Sequence, residues 1–322
     1  MELQVESMMT ITKWCYAWFF MILFYACEEA FIPEINESSQ EYIVEGYIED
    51  GPNSLPPYVI LSRSFPFFGR ISAEEIFELQ IRDATVRVNH DGQSYALTPL
   101  CLSDLPEAFR DQILQDVGFL PVFQDVDFCL YIDLLREIPI HKERPYELDI
   151  ELVNGERLKG QTTIPSHVPI DSFKFTRPPG TNQNDTMARL LITVNDPVEP
   201  NFYRYMTAGE GEPFRAGFAS VTDDRLINGQ TFDFPLQKAV TPENADELDP
   251  EIFGLYKRGD TTRIRWLNID EAHFNFWNTY EFNLNNQGPF SSYTRVSSNV
   301  SGALGIWGGY SSSEYILYVP EI

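Results

Sequence analysis

The sequence predicts an all-β protein: an N-terminal immunoglobulin- or transthyretin-like β-sandwich, then a second, mainly antiparallel β domain with one or two short helices. Three observations predict it. Apolar residues recur at every second position through short segments, as in residues 145–153, where Tyr146, Leu148, Ile150 and Leu152 alternate with Glu147, Asp149 and Glu151. That is the period of a strand with one face buried. Turn formers separate such segments, and Asp91-Gly92 is a two-residue hairpin signature. Near the middle, Thr163-Ile164-Pro165-Ser166-His167-Val168-Pro169 interrupts the pattern, because two prolines fix φ and remove ladder donors.

The first 26 residues belong to neither domain. Trp14 to Ala26 is an unbroken uncharged run between Lys13 and Cys27-Glu28-Glu29. As a helix it reaches about 20 Å, short of the roughly 30 Å hydrocarbon core, so residues 1–26 read as a signal peptide rather than a membrane span. Glu2 and Glu6 do not suit the positive start of such a signal, which makes Met8 or Met9 an alternative first residue. Leu23-Phe24-Tyr25-Ala26-Cys27 resembles a lipobox, in which a small residue precedes a cysteine acylated before cleavage; Tyr25 departs from that pattern. Cys27 is therefore the expected lipidation site. At about 0.8 kcal/mol per buried methylene, several acyl chains hold a protein at a bilayer almost permanently. Residues 27–40, rich in Glu, Ser, Asn and Gln, form the expected flexible tether.

Residues 41–165 form the expected sandwich, with strands at 41–49, 57–63, 84–89, around Tyr95, at 127–134 and at 145–153. A helical insertion is expected at 105–117, where Pro106 suits the first turn and Phe109, Ile113 and Leu114 make a stripe, capping the sandwich. With Cys15 cleaved away and Cys27 acylated, Cys101 and Cys129 remain. In an oxidising compartment they either pair, closing a loop worth roughly 3 to 4 kcal/mol, or stay as two buried thiols. Phe65-Pro66-Phe67-Phe68-Gly69 places Phe65, Phe67 and Phe68 in an inter-strand loop, where they either form an exposed contact patch or plug the end of the sandwich.

Residues 166–322 form the expected second domain, with strands at 187–195, 201–208, 262–269 and 314–319 and an acidic loop at 241–249. Asp270 is the expected cap of a helix reaching Leu284, with Phe276, Trp277, Tyr280 and Leu284 on one core-packed face. Gly302, Gly305, Gly308 and Gly309 read as bulges and turns.

The 322 residues carry 48 acidic against 23 Lys and Arg, a net charge of −25. Nucleic acid is excluded as a partner, because its binding needs clustered cations that release counterions. His90, His141, His167 and His273 are far apart in sequence and match no zinc-ligand spacing. Neither a Gly-x-Ser-x-Gly elbow nor a phosphate-cradling glycine loop occurs. No metal, no cofactor and no catalytic residue is expected.

Several stretches match a family in joint order and spacing. They are Tyr42-Ile43-Val44-Glu45-Gly46-Tyr47-Ile48-Glu49-Asp50, Val59-Ile60-Leu61-Ser62-Arg63-Ser64, Asp83-Ala84-Thr85-Val86 and Ile170-Asp171-Ser172. Leu226-Ile227-Asn228-Gly229-Gln230, Arg258-Gly259-Asp260-Thr261, Pro289-Phe290-Ser291-Ser292 and Gly305-Ile306-Trp307-Gly308-Gly309-Tyr310 complete the set. Together they resemble the Bacteroidota lipoproteins grouped as domain of unknown function 4249, over nearly the whole mature chain. The resemblance implies an outer-membrane lipoprotein that accompanies a TonB-dependent transporter, with no established catalytic residues. Glu28 and Glu29 also look like the acidic export signal of surface lipoproteins in that phylum, which favours the cell surface over the periplasmic leaflet. The expected function is non-catalytic, binding a partner protein or nutrient at an outer-membrane transporter. A glycan-binding protein is the runner-up, since five tryptophans and 16 tyrosines offer faces that stack on sugar rings. A hydrolase with an unrecognised site is the third reading.

Overall fold

The computed structural model describes residues 40–65, 73–106, 110, 128–179, 186–240, 249, 251–286 and 294–321. An eight-stranded sheet runs through them. Its strands, numbered in chain order, are β1 (Tyr42–Asp50), β2 (Tyr58–Arg63), β5 (Thr98–Cys101), β6 (Cys129–Ile132), β11 (Phe202–Gly209), β12 (Val221–Asp223), β15 (Thr261–Ile269) and β17 (Leu304–Tyr318). They lie in the order β12-β11-β15-β17-β1-β2-β6-β5. Every pairing is antiparallel except that of β1 with β17, the first and last strands, which run parallel at the centre.

Two smaller sheets cover one face. The five-stranded sheet holds β3 (Thr85–His90), β4 (Gln93–Ala96), β7 (Pro145–Glu151), β8 (Arg157–Thr163) and β16 (Val300–Ser301). Its inner residues Val86, Val88, Tyr146, Leu148, Ile150 and Leu158 meet Val44, Ile48, Val59, Leu61 and Trp307 of the large sheet in one core. The four-stranded sheet holds β9 (Ser172–Thr176), β10 (Met187–Asn195), β13 (Thr231–Leu236) and β14 (Tyr256–Lys257). Its Ala188, Leu190, Ile192 and Val194 meet Tyr203, Tyr205, Ile264 and Trp266 in a second core. The protein is all-β, built as sheets stacked face to face.

The predicted alternation of residues 145–153 is realised: Tyr146, Leu148, Ile150 and Leu152 are all buried. Asp91 and Gly92, with φ of 48° and 78°, form the tight turn between β3 and β4, the left-handed pair a two-residue hairpin requires. Ile164 closes the first core and Val168 opens the second, on either side of Pro165. The two cores nevertheless share one ladder, and Val300, Ala303 and Trp307 return from the C-terminal third to the first core.

That return is the work of β17. At 15 residues it spans about 50 Å. Its first half pairs with β1 and carries Trp307 into the first core, and its second half pairs with β15 and carries Tyr315 and Leu317 onto the second. Trp307 is fully buried; its Nε1 donates to Tyr146 O at 3.0 Å, and Asn299 bonds both its N–H and its C=O. Only residues 314–319 of this strand are expected from sequence. Its glycines are not mainly turns, since Gly308 and Gly309 lie inside the strand. A Cβ on Gly309 would sit 2.3 Å from Thr163 O, so the backbones meet too closely for any side chain. Gly305, at φ +118° with Val44 O 1.8 Å from a Cβ position, has the same constraint in a conformation that favours glycine.

Two helices and a single 3-10 turn at Leu102–Asp104 are described in full, and Arg110, inside the expected 105–117 helix, is also helical, its N–H donating to Pro106 O at 3.2 Å. Helix α1 (Ala73–Leu79) is not anticipated by the sequence reading. Helix α2 (Glu271–Asn285) starts where expected, with Asp270 accepting from His273 N at 2.8 Å. None of the described helices is long and apolar enough to cross a membrane.

Candidate functional site

The second face of the large sheet carries a polar layer beneath α2. The strand register brings Glu45, Tyr47 and Glu49 of β1 beside Tyr58, Arg204, Arg265, Tyr310 and Ser312 on neighbouring strands. Arg265 Nη2 donates to both oxygens of Glu49, at 2.7 and 2.8 Å, and Tyr310 and Ser312 donate to the same carboxylate. Arg204 lies 3.5 Å over the ring of Trp277 and donates to Ser220 Oγ, while Ser220 donates through both N–H and hydroxyl to Glu281 of α2.

This arrangement corrects half of the expected helix face, at Tyr280 and Leu284. The buried residues of α2 are His273, Phe274 and Glu281, whereas Tyr280 and Leu284 are 39% and 50% exposed and Phe276 and Trp277 are half-buried. Phe276 and Trp277 pack against Ile60, Leu130 and Ile306, and Phe274 joins Leu267 and Ile269, while Glu281 meets Ser220, so the side facing the sheet is part apolar and part polar. Sequence reasoning had one signal to find it, the i, i+4, i+8 spacing of His273, Trp277 and Glu281.

Burial pushes the Tyr47 and Tyr58 hydroxyls well above the usual range. It also raises Glu45, against the Tyr47 hydrogen bond and the Arg204 charge, and Glu281, against the Ser220 bonds and Arg204. The same burial, and next the Arg204 charge, drives His273 down to about 3. Glu45, Glu49 and Glu281 each already accept from a named donor. The layer clamps α2 to the sheet and keeps its carboxylates occupied.

A cleft of about 650 Å³ opens beside the start of β1, lined by Glu41, Tyr42, Glu156, Arg295, Ser297 and Ala303 among others. It marks the end of the body at which residue 40 enters the sheet. The segment from 294 to 299 has no strand or helix period, which is why the sequence reading passes over it.

A third cluster joins residues that sequence spacing keeps apart. His90 ends β3, Asp91 opens the tight turn, and His141 lies in the loop before β7. His90 Nε2 is 2.9 Å from His141 Nδ1, and an oxygen of Asp91 is 3.5 Å from each of these atoms. Arg144 donates to that oxygen at 2.6 Å. Desolvation is the largest single influence on Asp91 and raises it, but the Arg144 bond and charge, with His90 and His141, together outweigh it and hold the carboxyl below its ordinary range. A separation of 51 positions between the two histidines hides the pair from any linear motif.

Of the other predicted residues, Cys27, Phe67 and Phe68 lie outside the described residues, as does all of the 105–117 helix except Leu105, Pro106 and Arg110, and so does 241–248 of the acidic loop. Phe65 is exposed. Cys101 and Cys129 sit directly opposite one another on β5 and β6 and form a disulfide. Closing a 28-residue separation stabilises by about 3 to 4 kcal/mol in the chain-entropy account. A Cys101→Ser, Cys129→Ser double variant is expected to lose that much unfolding free energy in a urea titration; an unchanged midpoint would show that the bond constrains nothing.

No curated protein matches the chain. The family described as a domain of unknown function (DUF4249) matches residues 28–316, a span that takes in the first core, the second apart from Leu317 and Val319, the polar layer, the cleft and the histidine pair. The protein belongs to that family.

Proposed function

We propose that the protein is a lipid-anchored outer-membrane lipoprotein, displayed at the cell surface, that serves as a non-catalytic binding or accessory component of TonB-dependent nutrient uptake. The observation that carries this reading is the order of features at the N-terminus: an apolar run, Cys27, an acidic stretch, and then a sheet that begins at Tyr42. In this reading residues 27–39 tether the folded body to the acylated cysteine. The cleft lies at the end of the body to which that tether is joined, and the engaged carboxylates of the polar layer favour binding over catalysis.

Intact-mass analysis of the protein purified from native membranes tests the anchor. Residues 1–26 are expected to be missing and acyl mass to be present at Cys27, and a Cys27→Ala variant is expected to carry no acyl mass and to retain its leader. A native protein that keeps residues 1–26 and carries no acyl mass would overturn the anchoring. Failure to co-purify any outer-membrane transporter, with the acyl mass present, would remove the uptake role and leave the anchor.

A further inference from the structure

The geometry points to a divalent transition-metal site, of the zinc type, formed by His90 Nε2, His141 Nδ1 and a carboxylate oxygen of Asp91. The three donor atoms lie within 4.8 Å of one another, at 2.9, 3.5 and 3.5 Å. A tetrahedral ion with bonds of 2.0–2.1 Å sets its ligand atoms about 3.3 Å apart. The cluster therefore receives such an ion with shifts of a few tenths of an ångström.

The protonation pattern fits as well. His90 Nδ1 is 3.0 Å from Pro145 O, and a carbonyl only accepts, so Nδ1 carries the proton and Nε2 presents its lone pair to the cluster. A ring N–H held by a backbone carbonyl is the usual outer-shell partner of a metal-bound imidazole. With both rings neutral, His141 Nδ1 is then the donor to His90 Nε2, and binding requires that proton to move to Nε2 of the same ring through solvent, with no net change in charge. Arg144 occupies one lone pair of Asp91, keeps it anionic and leaves the remaining positions for coordination.

Rigidity separates this cluster from a chance meeting of surface groups. Tyr146 stacks its ring on His90 at 4.0 Å between centroids, and its hydroxyl accepts from His141 N at 2.6 Å while donating to Pro139 O at 2.9 Å. One buried tyrosine thus fixes two of the ligands, and the tight turn fixes the third. The Asp91 and His141 side chains are 38% and 48% exposed, which gives an ion an entry path and leaves its outer position to water or to a ligand from a partner. Two imidazoles select against calcium and magnesium. The site is independent of the lipid anchor and of the cleft.

Calorimetric titration of the purified protein with zinc chloride tests the proposal. The wild type is expected to bind one equivalent saturably, and His141→Ala and Asp91→Asn are each expected to weaken it at least about tenfold. His141 is chosen over His90 because His90 is packed against Tyr146, where a truncation would also disturb folding. Zinc is expected to raise the melting midpoint of the wild type and not that of His141→Ala, a comparison that also shows whether the variant is folded. Calcium in millimolar excess is expected to leave zinc bound. Equal zinc affinity in wild type and His141→Ala, displacement by calcium, or no saturable binding at all would each overturn the site.

Discussion

Replacing Arg265 with methionine is expected to lower the unfolding free energy by about 3 to 5 kcal/mol, because it leaves a buried carboxylate without its cation. The Arg265 and Glu49 side chains are only 13% and 4% exposed. Both have given up hydration, and among the described residues the Glu49 charge is supported by the guanidinium and by the Tyr310 and Ser312 hydroxyls. The three strands involved also matter. Glu49 lies on β1 at the first core, Arg265 on β15 at the second, and β17 runs between them, so the pair crosses the strand that joins the two cores. A Glu49→Met, Arg265→Met double variant is expected to regain most of the loss, since the desolvation cost disappears with both charges. Urea unfolding of the two single variants and the double variant completes the cycle. If Arg265→Met stays within about 1 kcal/mol of wild type, the pair behaves as a solvent-screened surface contact, and the polar layer is wetter than its geometry implies.

Legibility in the sequence followed how each element is buried. Strand β7 was readable because one face meets a core and the other meets water, which writes a two-residue period into the chain. Strand β17 was readable only at its end. Within its first half Gly305, Gly308 and Gly309 make room for Val44 O, for the His273 ring and for Thr163 O, and the small polar Ser311 and Ser312 are buried, Ser312 bonded to Glu49. No hydrophobic period survives such a contact set, although the strand is central. Helix α2 shows the same effect in milder form. Its Asp270 cap is a local signal, and Phe276 and Trp277 pack on apolar residues as their spacing implies, whereas His273 and Glu281 carry no apolar signal because they rest on Tyr47 and Ser220. The histidine cluster depends on a turn and a loop that only the folded five-stranded sheet brings together.

The polar layer also predicts a pH dependence. Burial, then the charge of Arg204, lowers His273 from its ordinary 6.5 to about 3, and the ring is enclosed by Tyr47, Tyr310 and the backbone of Gly308. Between those two values the unfolded chain takes up a proton that the folded protein refuses, so acidification favours unfolding. The slope is about 1.4 kcal/mol per pH unit, and the stability lost between pH 6.5 and pH 3 amounts to roughly 4 to 5 kcal/mol. Glu45, Glu281 and Asp270, all raised by burial, act in the opposite direction, since their folded forms accept protons first. A His273→Phe variant keeps a flat ring in the same space and keeps those three carboxyls, so the difference between the two proteins isolates the histidine. The expected result is a gap in unfolding free energy that is constant above pH 7 and shifts in favour of the variant as the pH falls to 3. Urea titrations across that range measure it, and parallel curves would mean that His273 titrates as it does in water and that α2 does not exclude solvent from the sheet.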